Sequence, residues 1–197
     1  MCRRTPPRAN QERCLIDDEK LVRPQLRLRA LTVRDEHQAR QGHLELALED
    51  FDFLLDLRPD DAWPGYLARL ERQRRGLDLP AGFVPATFLI ADVEGDVVGR
   101  VSIRHELNEF LANVGGHIGY GVRPAFRRRG YATQMLRQSL EIAHSIGIER
   151  ALVTCDDDNV GSAATIERCG GVMDERGTRT NSPQQSRRYW IETRAIR

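Results

Sequence analysis

Gly115-Gly116-His117-Ile118-Gly119-Tyr120-Gly121-Val122-Arg123-Pro124-Ala125-Phe126-Arg127-Arg128-Arg129-Gly130-Tyr131-Ala132 is the stretch whose reading decides the fold. It reads as a strand over Gly115–Val122, a basic turn, and the first turn of a long helix. Pro124 stops the strand, because a residue without an N–H cannot extend a ladder. Gly130 permits a close backbone approach, and the pattern after it turns helical. A helix start exposes N–H groups without intrahelical partners and carries the positive end of the dipole. With three arginines directly before it, the turn is an anion site best matched to phosphate, and we read it as holding a diphosphate.

Downstream, the helix is expected over Gly130–Ser145, burying Ala132, Met135, Leu136, Leu140 and Ala143 and ended by Gly147. A short apolar strand, Ala151–Cys155, follows at crossover distance and is expected parallel to its predecessor. Asp156-Asp157-Asp158-Asn159 leaves it, and Ser162–Arg168 forms a second short helix closed by Gly170-Gly171. Two terminal strands, Val172–Glu175 and Arg188–Ile196, make an antiparallel pair. Upstream, Ala86–Val93 and Asp96–Arg104 read as a hairpin turning at Glu94-Gly95-Asp96. A first strand spans Leu26–Val33. Helical spacing covers Asp35–Leu57 in one or two pieces and Ala62–Arg75 in another, with a short helix over Glu106–Asn113. Gly76–Pro85 is a linker.

At 197 residues the chain has the length of one domain with a real core. Residues 1–20, polar and proline-bearing, read as a poorly ordered tail before a single domain over 21–197. Thirty basic residues against twenty-nine acidic ones leave a formal charge of +1, so nothing global argues for nucleic acid. No run approaches the roughly 20 apolar residues of a membrane span. Cys2, Cys14, Cys155 and Cys169 lack metal or redox spacing, and the five histidines form no HExxH, so no metal is expected. A cytoplasmic, reducing setting is the expectation.

The turn resembles the signature of the GCN5-related N-acetyltransferase superfamily: Arg or Gln, two residues, Gly, one residue, then Gly or Ala. Arg127-Arg128-Arg129-Gly130-Tyr131-Ala132 meets it, and Asn159–Gly171 is similar to the family's fifth strand and following helix. The resemblance implies the acyl-CoA N-acyltransferase fold, α/β, with a mixed, mostly antiparallel central sheet, splayed middle strands and flanking helices. It implies acetyl-CoA as co-substrate, its pantetheine lying between the splayed strands. Amides across Arg128–Ala132, Tyr131 among them, would then receive the diphosphate, with Arg127, Arg128 and Arg129 adding local positive potential. Not all three side chains can point inward. Val122 would offer backbone bonds to pantetheine or the acetyl carbonyl, Asn159 would contact the cofactor arm, and Ser162 would lend a hydroxyl.

The resemblance fails at one chemical position. Many members carry a tyrosine seven residues after the strand-five asparagine, proposed to protonate the leaving thiolate; here it is Ile166. Tyr120, Tyr131 or water would have to substitute. For a base, His117 has a suitable ordinary pKa, about 6.5. Simple alternation, however, places it one residue out of phase with the family's positions, which fall on Gly116 and Ile118 and whose parity Tyr120 shares. Both are candidate catalytic residues; His117 also reads as sheet packing, and His105 and Glu106 as ordinary rim polarity. Cys155 and Cys169 have no histidine nearby in sequence to make a nucleophile. The acceptor is read as an amine on a small molecule, an amino acid, an antibiotic or a protein N-terminus. Its pocket would be shaped by the early helices, the Arg104–Gly115 segment and the terminal hairpin. A CoA-binding or acyl-sensing module of the same fold is the alternative, and a homodimer through a sheet edge stays open.

Overall fold

A computed structural model describes residues 25–174 and 186–194. The hairpin forms where expected: β2 (Ala86–Val93) and β3 (Asp96–Arg104) turn through Glu94 and Gly95, both at positive φ (54° and 93°). That pairing of left-handed residues matches the right-handed twist of the flanking strands. β1 (Arg27–Arg29) adds antiparallel to β2, and β4 (Ile118–Val122) antiparallel to β3, giving a four-stranded sheet ordered β1-β2-β3-β4. A second sheet orders β5 (Arg150–Asp156), β7 (Ser186–Glu192) and β6 (Val172–Met173), all antiparallel, with β7 in the middle.

Two apolar layers hold this together. On one face, α4 (Tyr131–Ser145) and α5 (Val160–Arg168) bury Met135, Leu136, Ala143 and Ile166 against Val101, Ile103, Ile118 and Val153. On the other, α1 (Glu36–Ala47) and α2 (Trp63–Arg74) bury Ala39, Leu46, Trp63 and Tyr66 against Phe88 and Ile90. A bulge in the β2–β3 register moves Val98 to the α4 side while Val97 faces α1. With both faces covered, β3 is buried along nearly its whole length.

The sheets meet where the chain entering β4 approaches β5, and there Gly115 N–H donates to Thr154 Oγ1 (3.0 Å). His117 N–H donates to Leu152 O (2.7 Å), and Leu152 N–H donates to His117 Nδ1 (2.9 Å). Beyond this pin β4 and β5 part, and no ladder joins them among the described residues. The mixed, mostly antiparallel sheet with splayed middle strands is therefore observed.

Several boundaries differ from the sequence reading, among them the first strand, expected over Leu26–Val33 and observed only as Arg27–Arg29 ahead of a 3-10 turn at Val33–Asp35. The helix expected to reach Leu57 stops at Ala47, because Asp50 turns left-handed (φ 55°) and Phe51 N–H bonds back to Leu46 O. That exit drives Phe53 and Leu54 into the core. The strand expected from Gly115 begins at Ile118, since Gly115 and Gly116 both take positive φ (98° and 60°). A Cβ at Gly116 would sit 2.3 Å from Leu152 O, so the pin requires glycine there. The helix expected from Glu106 starts at Glu109 as α3 (Glu109–Asn113), where Asn108 caps it by accepting the Leu111 N–H. The N-terminal tail, Cys2, Cys14 and the distal end of the last strand at Ile196 lie outside the described residues.

Candidate active site

The edge that β4 presents to the gap follows from its register. Arg123 N–H donates to Val98 O and Arg104 N–H to His117 O. Such paired positions recur at every second residue of an antiparallel ladder, so Gly119 and Gly121 spend their backbone groups on β3. Tyr120 and Val122 turn theirs to the gap. Val122 O accepts from Arg127 Nε (3.0 Å), while its N–H remains directed into the opening. A free strand edge of this kind pairs readily with an extended amide-bearing chain.

At the top of the gap the chain enters α4 through a tight turn. Arg128 (φ 65°) and Gly130 (φ 81°) are both left-handed, a geometry in which successive N–H groups converge on an anion. Gln134 N–H is the first to find its helical acceptor, Gly130 O. The amides from Arg128 to Thr133 meet no backbone acceptor among the described residues. Six donors at the positive end of a fifteen-residue helix form a cradle that could hold an anion such as a diphosphate.

The arginine side chains divide the labour unequally. Arg127 forks onto Glu49 (3.0 and 2.7 Å), and Arg129 donates to Ala125 O (3.0 Å) over the Phe126 ring. Arg128 has no side-chain partner among the described residues and stands exposed beside the cradle. Arg123, buried, forks onto Glu45 (2.8 and 2.8 Å) and donates to Val97 O. It ties the turn to α1.

Tyr120 points its ring to the α5 side, where its hydroxyl meets Ser162 Oγ at 2.9 Å. Burial, first of all, pushes this phenol up to about 12. Asn159 caps α5, its Oδ1 accepting the Ser162 N–H (2.9 Å). Ile166 is fully buried and offers only methyl groups. Tyr131 packs on the same core as Tyr120.

His117 is placed as part of the pin. Its Nδ1 lone pair already accepts the Leu152 N–H, and burial followed by Arg104's charge lowers its pKa. The neutral ring carries its remaining proton on Nε2, so as a base it would first have to release the strand junction. His105 sits at the rim with Nε2 2.8 Å from Thr87 Oγ1. Burial raises the Cys155 and Cys169 thiols, which keeps them from the thiolate form that a nucleophile needs. Asp157 is held by Arg187 (2.8 Å), and no metal-binding cluster occurs among the described residues. No helix among them is long and apolar enough to cross a membrane.

Sequence reasoning missed Arg100 and Arg104 of β3, which lie on the α1/α2 face beside Gly119 and Gly121. The signal was present: two arginines in phase within a strand otherwise made of buried valine and isoleucine.

A sheet opened at β4 and β5, with an amide-lined helix entry at the mouth, defines an acyl-CoA N-acyltransferase fold. The chain belongs to the acetyltransferase (GNAT) family, whose family model matches residues 46–171. Among solved structures it is similar to the Salmonella typhimurium acetyltransferase that modifies the N-terminal serine of 50S ribosomal subunit protein L7/L12, at 17% identity and TM-score 0.62, covering 85% of this chain and 94% of that one. It is similar to Vibrio cholerae spermidine N-acetyltransferase in complex with CoA and spermine, at 15% identity and TM-score 0.59, covering 86% and 96%. Mycobacterium smegmatis RimJ, in complex with CoA-disulfide, matches at 18% identity and TM-score 0.57, covering 85% and 81%. No curated protein sequence matched. The family and its fold support acetyl-CoA-dependent acetyl transfer in general.

Proposed function

We propose that this protein acetylates an amine by direct transfer from acetyl-CoA in a ternary complex. The observation that carries the reading is the pair of free-donor groups at the gap, Tyr120 and Val122 on the β4 edge and the Arg128–Thr133 amides at the helix entry. Acetyl-CoA supplies the thioester, whose carbonyl carbon an amine nitrogen attacks as the C–S bond breaks. The Val122 N–H is directed where a carbonyl oxygen would develop negative charge. The Arg128–Thr133 amides hold the diphosphate, with Arg128 adding charge from outside.

Tyr120 takes the place of the absent tyrosine at Ile166. Its hydroxyl stands at the α5 wall of the gap, stays protonated at neutral pH, and is oriented by Ser162. It protonates the departing thiolate. No side-chain base is assigned to His117; the amine loses its proton to water. The one observation favouring the acyl-sensing alternative is Ile166 itself, an aliphatic side chain where many relatives carry a tyrosine.

Purified protein is expected to retain coenzyme A by native mass spectrometry and to release free thiol from acetyl-CoA only with an amine present. Retention without amine-dependent release across a broad panel would establish the sensing module instead. Tyr120→Phe is expected to lower kcat by about 100-fold or more, the usual size for losing one general acid, with KM for acetyl-CoA within about twofold.

A further inference from the structure

The α1/α2 face of β4 holds two cations that have no ion-pair partner among the described residues. Arg100, 4% exposed, donates to Gly119 O (3.4 Å) and to Asp52 O, and leans on the Phe51 ring at 4.3 Å. Its Nε is buried with no partner. Arg104, half-buried, donates to Gly115 O (3.1 Å). No carboxylate lies within ion-pair distance of either among the described residues; Asp52 gives Arg100 its backbone carbonyl and, from beyond that distance, a weak coulombic attraction. A Cβ at Gly119 would lie 3.1 Å from Arg104 Nη1 and 3.7 Å from Arg100 Nη1, so the two forks converge over that glycine. Phe51 roofs the next one, lying 2.4 Å from where a Gly121 Cβ would be.

Two buried like charges held together are costly, and a buried N–H without an acceptor adds to that cost. Burial, then Arg104's charge, pushes the Arg100 guanidinium down from its ordinary value. The cost is relieved by a planar anion set between the forks, since guanidinium geometry matches a carboxylate through paired N–H bonds. The site lies across β4 from Tyr120, on the face lined by the α1–α2 connection and apart from the diphosphate cradle.

We propose that Arg100 and Arg104 form the acceptor's carboxylate site, making the substrate a small amine with a carboxylate a few bonds from its nitrogen. This rests on the amine-acetylation reading above. Gly119 keeps a side chain from pressing on Arg104 Nη1, and the amine then points along β4 toward the near end of the Tyr120–Val122 edge, one residue away. A polyamine would bring positive charge against two guanidiniums and is refused.

The test uses matched acceptors: amino acids, their carboxamides, and spermine, each with acetyl-CoA. The best amino acid is expected to exceed its own amide in kcat/KM by about 30-fold, as for loss of a partner to buried polar groups. In Arg104→Gln that ratio should fall to about threefold or less, with KM for acetyl-CoA within about twofold of wild type. Equal use of acid and amide by the wild type, or preference for spermine, overturns the proposal. If no amine is acetylated, the transfer reading fails, and the anion site is judged by binding alone. Calorimetry of N-acetylglycine and N-acetylglycinamide into CoA-loaded protein should then show the acid binding at least about tenfold tighter, an advantage lost in Arg104→Gln. Equal affinities overturn it.

Discussion

The two faces of β4 were built by different means. On the α4/α5 face, Tyr120 and Val122 adjoin a cradle made almost entirely of consecutive backbone amides. On the α1/α2 face, Gly119 and Gly121 carry no side chains, and the surroundings come from Arg100 and Arg104 of β3 and from Phe51 of the distant α1–α2 connection. On the reading proposed above, backbone donors serve the coenzyme, whatever the side chains, and side chains from two separate segments serve the acceptor. The pin at His117 and Leu152 divides the two regions, and Arg123 and Arg127 tie them back together through Glu45 and Glu49.

The largest expected effect on binding isolates the backbone side. Gly130 is left-handed, with nothing within 4 Å of where a Cβ would be, so a side chain fits but its conformation is restricted. Asn and Asp tolerate that region alike and differ here chiefly in charge. Gly130→Asn should weaken coenzyme A binding by about threefold and Gly130→Asp by about 30-fold or more, since only the latter sets an anion against the cradle. Titration calorimetry decides it. Equal losses would mean that backbone shape, rather than phosphate charge, governs the turn.

That asymmetry also explains what could be read in advance. The cradle was legible because it is one continuous segment, with arginines, a glycine and a helix start in fixed order. The hairpin at Glu94-Gly95 and α4 were legible for the same local reason. Arg127's partner was not, because Glu49 lies 78 residues away and the irregular Asp50–Leu57 stretch positions it. Arg100 was missed because its significance is the lack of an ion-pair partner among the described residues, which only the assembled fold reveals. For His117, alternation argued against the acceptor face, but nothing local foretold that Leu152 would claim Nδ1.

A middle-sized effect concerns the boundary between the faces. Burial and Arg104 lower the His117 pKa below its unfolded value. Between the two values the unfolded chain binds more protons, so stability rises with pH across that window. The contribution is complete above the unfolded value, about 6.5, and is lost as pH falls through the folded one. His105, also lowered, acts with the same sign. Thermal melts should show the protein losing stability from pH 7.5 toward pH 5, and His117→Gln should retain only the share due to other groups. Turnover in that variant should keep its pH profile; loss of the acid limb would restore His117 as a base.

The smallest effects separate the three turn arginines. Arg127 and Glu49 have side chains 40% and 47% exposed, and such pairs are worth about 0–1 kcal/mol. Glu49→Gln should therefore cost about 0.5 kcal/mol or less in denaturant unfolding. Its informative consequence is elsewhere. Freed from its carboxylate, Arg127 becomes a second mobile cation beside the cradle, so coenzyme A should bind as tightly or up to about threefold tighter at low salt. Arg128→Ala, removing the cation that has no side-chain partner among the described residues, should weaken binding about fivefold under the same conditions. Arg127→Ala should weaken it by less than about twofold, because that side chain is already committed to α1. If Arg127→Ala proved the more damaging, ligand binding would have to break the Glu49 pair and recruit Arg127. The tie between the two faces of β4 would then change when the donor binds, which calorimetry of the Glu49→Gln and Arg127→Ala pair would resolve as a non-additive coupling.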